Sequence, residues 1–166
     1  MAEKTSVVTS ERFKQGLTYQ DYIAQINVNK DEFQKAYNES KLTPEDAEFF
    51  KKAVAHPSGP AKMLVLGEDW CTDVYRELPM MARLAEASGI ELRVFPRDAN
   101  LDIMDEFLNR GESRSIPTMV FYTADQEYLC HWIERPALAN KETAEINAQL
   151  EREMANQDEQ AVRQAR

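Results

Sequence analysis

A chain of 166 residues is the size of one domain and buries about two thirds of its unfolded surface, so its core needs neither a disulfide framework nor a metal. With 20 Lys+Arg against 29 Asp+Glu, the formal charge of −9 repels phosphate backbones and anionic lipid, which argues against nucleic acid and membrane surfaces as general partners. Two cysteines, Cys71 and Cys130, are too few for a secreted scaffold, the polar start Met1-Ala2-Glu3-Lys4-Thr5 lacks a signal-peptide core, and no apolar run spans a bilayer; the expected address is the cytoplasm.

In chain order, the first ten residues carry no periodicity and are expected to fray. Thr18 is placed to cap a helix over Tyr19 to Ile26, with Tyr22, Ile23 and Ile26 on one face. Asn29-Lys30-Asp31-Glu32 has the form of a second cap with an acid at the third helical position, followed by Phe33, Ala36 and Tyr37 at helical spacing. Thr43-Pro44-Glu45-Asp46 is the clearest start, and Phe49, Phe50, Ala53 and Val54 supply its apolar face. His56-Pro57-Ser58-Gly59-Pro60 is the strongest breaker, dividing a helical extension over 1–60, packed on the core, from the main domain over 61–166.

A strand follows at Lys62 to Leu66, then a turn over Gly67 to Asp69. From Cys71 the residues Val74, Leu78, Met81, Leu84 and Ala85 recur at helical intervals up to Gly89, with Pro79 inside and expected to bend the helix. Glu91 to Phe95 alternates as a strand. Asn100 is placed to cap a helix with Ile103, Met104, Phe107 and Leu108 on its face, stopped by Gly111. Thr118 to Tyr122 and Glu127 to Ile133 form a hairpin about the turn Thr123 to Gln126. From Pro136 a helix carries only the narrow stripe Ile146, Leu150 and Met154, and the last dozen residues are expected to be solvated or disordered. The order from Lys62 is β-α-β-α-β-β-α, an α/β class in which strands separated by helices are expected to pair parallel and the closing hairpin adds an antiparallel pair.

The chemistry concentrates at Val65-Leu66-Gly67-Glu68-Asp69-Trp70-Cys71-Thr72-Asp73-Val74. A cysteine where a strand turns into a helix meets unpaired backbone N–H groups and the helix dipole, both of which favour its thiolate. Arg76 and Arg114 would add to that, whereas Glu68, Asp69 and Asp73 would oppose it, and the sequence leaves the balance open. In the inferred sheet Cys130 is expected about 10 Å, two strand spacings, from the strand leading to Cys71, beyond the roughly 7 Å a disulfide bridges, and is expected to pack as a small apolar residue in phase with Tyr128 and Trp132. His56 and His131 form no zinc spacing and the five glycines no phosphate loop, so neither a metal nor a cofactor is implied.

Trp70-Cys71 after the first strand, Pro79 eight residues on, and Ile116-Pro117 before the third strand resemble the thioredoxin superfamily. More narrowly, Trp70-Cys71-x-Asp73-x-x-Arg76-x-x-Pro79 with Arg97-Asp98-x-Asn100 and Arg114-Ser115-Ile116-Pro117 resembles a bacterial thioredoxin-like group, over about Ala61 to Arg135. The resemblance implies a thioredoxin-like core, Cys71 as exposed nucleophile, a cis peptide before Pro117, and an extended substrate pairing with the backbone at Ile116. Trp70, Thr72, Asp73, Val74, Ile116 and Pro117 are then the substrate-binding surround. Two departures matter: the second cysteine of the usual Cys-x-x-Cys is Val74, and the buried acid six residues before the nucleophile is Val65. Cys71 is therefore expected to attack without a partner to release it. The expected function is a cytosolic monothiol oxidoreductase that forms mixed disulfides with a protein or low-molecular-weight thiol. The alternatives are a redox-silent binding module and a peroxide-sensing thiol. Oligomeric state is not specified.

Overall fold

The apolar run before the acidic turn forms the interior strand β1 (Lys62–Gly67), whose Met63, Leu64, Val65 and Leu66 are fully buried. A strand covered on both faces reads as a continuous apolar run and not as an alternating one. The computed structural model describes residues 6–164, with side chains described through Ala155. Beside β1 lie β2 (Glu91–Pro96), β3 (Thr118–Tyr122) and β4 (Tyr128–Ile133), in the order β2-β1-β3-β4.

Strand β1 pairs parallel with β2, but β3 runs antiparallel to it, with Leu66 opposite Thr118. The expectation of parallel pairing for every helix-separated strand fails here because the β2-to-β3 connection stays at one end of the sheet. A crossover yields a parallel strand only when it carries the chain back along the strand's length. The expected helix with Asn100, Ile103, Met104, Phe107 and Leu108 is correspondingly short: α6 covers only Leu101–Met104. Asn100 does not cap it by side chain; its amide instead donates to the Pro96 carbonyl at 2.7 Å and accepts from Arg12 at 3.0 Å. The consequence for function is positional. Ile116 and Pro117 enter β3 at the end where β1 leaves for Cys71.

Before β1 come α1 (Ser10–Lys14), α2 (Tyr19–Gln25), α3 (Lys30–Glu39) and α4 (Pro44–Ala55), and after it α5 (Thr72–Ser88). These helices share the core: Phe13, Tyr22 and Phe33 are buried with the strands, α3 and α4 both pack on α5, and Leu17 bridges Val94 of β2 through two backbone bonds of 2.9 and 2.7 Å. Thr18 and Thr43 accept the N–H three residues on, as their patterns predicted. Several expectations are corrected. Residues 6–10 are held, since Val8 is buried and Val7 N–H and Ser6 Oγ both donate to Glu106, while residues 1–5 lie outside the described residues. Phe49 is 66% exposed and meets Phe50 edge-on, so the apolar face of α4 is narrower than its composition. Asn29 makes no cap hydrogen bond and adopts a left-handed φ of 57°.

The hairpin forms with one irregularity. Phe121 pairs with Cys130 and Tyr122 with Tyr128, so Leu129 is an extra residue on β4. One extra residue inverts the alternation beyond it, and Tyr128 therefore falls out of phase with Cys130 and Trp132. Cys130 is also exposed, contrary to its expected role as an apolar filler.

From Arg135 onward the described residues form a separate unit, in which α7 (Ala137–Gln164) leaves Ile146, Leu150 and Met154 exposed. The expectation of a solvated tail falls on side chains largely outside the described ones. No helix among the described residues is long and apolar enough to cross a membrane.

Candidate functional site

Cys71 is the N-cap residue of α5, with extended backbone (φ −86°, ψ 123°) and a carbonyl that accepts the first helical bond from Tyr75 N–H at 3.1 Å. The side chain makes no cap bond and is half-buried; its Sγ–H donates to the Ile116 carbonyl at 3.8 Å. The thiol therefore sits between a helix N-terminus and the loop that precedes β3. The Ile116–Pro117 peptide is cis, both residues are buried, and the Pro117 carbonyl accepts from Glu134 N–H at 2.8 Å. Thr118 Oγ1 donates to the Ser115 carbonyl at 2.8 Å, so the loop is tied on both sides of the cis bond.

Val74, where a resolving cysteine would stand, is fully buried. A Cβ added at Gly67 would lie 2.8 Å from its Cγ1, so the close approach of β1 to α5 depends on glycine there. Val65 is likewise fully buried, and among the described residues no carboxylate is fully buried. Thr72 is exposed and Asp73 half-buried in the first turn of α5. Trp70 is 52% exposed, with the Arg97 guanidinium 5.2 Å from its ring centroid. Arg97 is held by Asp98 at 2.7 Å and by the Arg114 carbonyl at 3.2 Å, so the rim of the site is a Trp-Arg stack with a fixed arginine. Arg114 ion-pairs with Asp105 at 2.7 Å and gives its carbonyl to Arg97.

The acidic turn is built in from elsewhere in the chain. Glu68 accepts Asp98 N–H at 2.7 Å, and burial pushes its carboxyl above the usual carboxylate range, partly offset by that bond. Asp69 accepts the N–H groups of Asn27 at 2.9 Å and Val28 at 3.2 Å, and its carbonyl accepts from Asn29 Nδ2 at 2.8 Å. The left-handed Asn29 is thus a strap from the α2–α3 link onto the turn before Cys71. The Tyr22 hydroxyl is buried without a hydrogen-bond partner, and burial, then the charges of Asp69, Glu68 and Cys71, push its ionisation well above the usual phenol range. Neither the buried Tyr22 hydroxyl nor the Asn29 strap was legible from sequence. Tyr22 reads as one apolar position of α2, and Asn29 as a cap; only the tertiary packing brings them beside the acidic turn. Among the described residues no group of three or more His, Cys, Asp or Glu could hold a metal.

A family model described as Thioredoxin matches residues 16–157, a span that includes α2 to α4. Among solved structures, a protein of unknown function from Pseudomonas aeruginosa aligns with a TM-score of 0.70 at 17% identity, covering 87% of this chain and 87% of that one. An HIV epitope scaffold aligns with a TM-score of 0.65 at 20% identity, covering 80% of this chain and 79% of that one. No curated protein matches the sequence. At these identities the likeness concerns the fold, an α/β sandwich around the four-stranded sheet.

Proposed function

The chain belongs to the thioredoxin family, and from that premise we propose that it is a monothiol thiol–disulfide oxidoreductase acting through Cys71. The observation that carries this is the half-buried Sγ at the α5 N-terminus, 3.8 Å from the Ile116 carbonyl, with Val74 in the place of a second thiol. The Cys71 thiolate attacks one sulfur of a substrate disulfide; a new S–S bond forms, the old one breaks, and the other substrate sulfur leaves as a thiolate. A second, external thiolate then attacks the substrate sulfur of the mixed disulfide, and Cys71 departs as thiolate. A further external thiolate then attacks the external sulfur now joined to the substrate, the second substrate sulfur leaves as a thiolate and the external disulfide departs, so that two electrons have passed from two external thiols to the substrate. A reducing cytoplasm with a low-molecular-weight thiol pool is the compartment in which that second step runs. Trp70, Thr72 and Asp73 form the surface an extended protein or peptide disulfide would meet, beside the loop whose buried Ile116 and Pro117 hold the backbone next to the thiol.

The test is intact mass after exposure to oxidised glutathione. A single adduct on Cys71, absent in Cys71→Ser and removed by reduced glutathione with release of free protein thiol, is the expected result. A wild-type protein that stays unmodified at Cys71 overturns it. That outcome favours the second reading, a redox-silent binding module, which the apolar Val65 and Val74 support because both positions are filled by core packing.

A further inference from the structure

At the end of the sheet hairpin, a cavity of about 230 Å3 is lined by Ser6, Glu106, Phe107, Tyr122, Tyr128 and His131. Cys71 is not among them, and the disulfide chemistry proposed above makes no use of this cavity. Its walls are aromatic and set at different angles: Phe107 faces Tyr128 at 6.3 Å and 23°, Tyr122 meets Tyr128 at 6.4 Å and 76°, and His131 tilts against Phe107 at 5.5 Å and 59°. The extra residue Leu129 makes this possible. Tyr128 and His131, three apart, would project to opposite faces of a regular strand, but with Leu129 bulged out they pair with Tyr122 and Val120, two positions apart on one face of β3.

The polar groups complete the picture. The Tyr122 hydroxyl is buried on a residue only 2% exposed and has no hydrogen-bond partner, an uncommon state for a buried phenol. Glu106 brings the one formal charge of the lining, held in place by Val7 N–H and Ser6 Oγ, and no Lys or Arg lines the cavity. Tyr128 Oη and His131 Nδ1 satisfy each other at 2.7 Å. Aromatic faces carry negative electrostatic potential, so several rings around a carboxylate attract a cation and repel an anion. Cavities for drug-sized ligands run to about 300–1,000 Å3, so this one takes something smaller.

We propose that the cavity between Glu106, Phe107, Tyr122, Tyr128 and His131 is a binding site for a small organic ammonium ion, with the cation against the ring faces, Glu106 as counter-ion and the Tyr122 hydroxyl accepting from any N–H or O–H the ligand carries.

The probe is choline, compared with its neutral isostere 3,3-dimethylbutan-1-ol, with binding followed by NMR of the aromatic side chains and by calorimetry. The expected result is that choline shifts the Phe107, Tyr122, Tyr128 and His131 ring signals and binds about tenfold or more tightly than the neutral alcohol. Glu106→Gln should weaken choline binding by about tenfold while leaving the weak alcohol binding as it was. Because Glu106 also holds the N-terminal segment, Tyr128→Leu serves as a second variant; Tyr128 is 52% exposed, so the fold survives and choline binding is lost. Equal binding of choline and the alcohol reduces the site to a plain apolar cavity and overturns the proposal. So does the absence of any ring shift with choline up to about 50 mM, a concentration that would reveal even a very weak site.

Discussion

Val74→Cys probes the position of Cys71 and its chemistry together. Val74 is fully buried with its Cγ1 pressed toward Gly67, so exchanging two methyl groups for one thiol removes a packed carbon and costs about 1 kcal/mol in the reduced protein. Residues three apart in the first turn of a helix are neighbours on one face, and Cys71 as N-cap has the extended backbone that lets its side chain turn toward that face. Closing the four-residue loop removes chain entropy from the unfolded state worth about 2 kcal/mol before native strain is charged against it. The oxidised variant should then melt above the reduced one by up to about 4–8 °C for a chain of this size. The background must be Cys130→Ser, because exposed Cys130 would otherwise enter the thiol count and link molecules together. After mild oxidation the expected thiol count falls to zero with no disulfide between molecules, and the variant should turn over a model protein disulfide where wild type stops at a mixed disulfide. If the folded variant keeps both thiols, Cys71 does not stand at the first turn of α5 and the geometry argued above is wrong. Bond formation without turnover would leave the site in place and move the barrier to the apolar Val65 and the acidic turn.

Glu68→Gln should raise stability at pH 7, because burial holds the Glu68 carboxyl above its usual 4.5 and its charged form is the one penalised in the folded state, while glutamine still accepts Asp98 N–H. The stability Glu68 retains when protonated is lost as pH rises through its raised value, so urea midpoints of variant and wild type should converge below about pH 4.5 and separate toward neutrality. Asn29→Ala removes the bond to the Asp69 carbonyl and puts a side chain that disfavours left-handed backbone at φ 57°, costing about 2 kcal/mol by urea unfolding. Asn29→Gly should cost visibly less, and equal losses for the two would refute the conformational half of that argument. Cys130→Ser alone should leave glutathione addition at Cys71 unchanged by intact mass, and any fall in that addition would contradict the two-strand separation of the cysteines.

Much of the architecture was legible because it follows from short-range rules. The buried run of β1, the Thr18 and Thr43 caps, Pro44 at the first turn, Gly89 in its left-handed position past α5 and the hairpin turn each rest on a few neighbouring residues whose local preferences agree with the fold. Cys71 at a strand-to-helix junction was visible for the same reason. What local pattern cannot carry is pairing between distant segments. The antiparallel β3 depends on where the 97–117 connection travels, a property of the tertiary path, and the phase of Cys130 on one bulged residue that alternation alone does not show. Phe49 and Asn29 were misplaced for the complementary reason: an apolar residue at helical spacing need not find a neighbour, and an asparagine before a helix can spend its side chain on a partner 40 residues away. The sequence alone determined that an apolar strand would deliver Cys71 to the start of a helix. Only the folded chain decided what surrounds that thiol, because the Ile116 carbonyl, the Arg97-Trp70 rim and the Asn27–Asn29 strap come from segments that the sheet order and helix packing bring together.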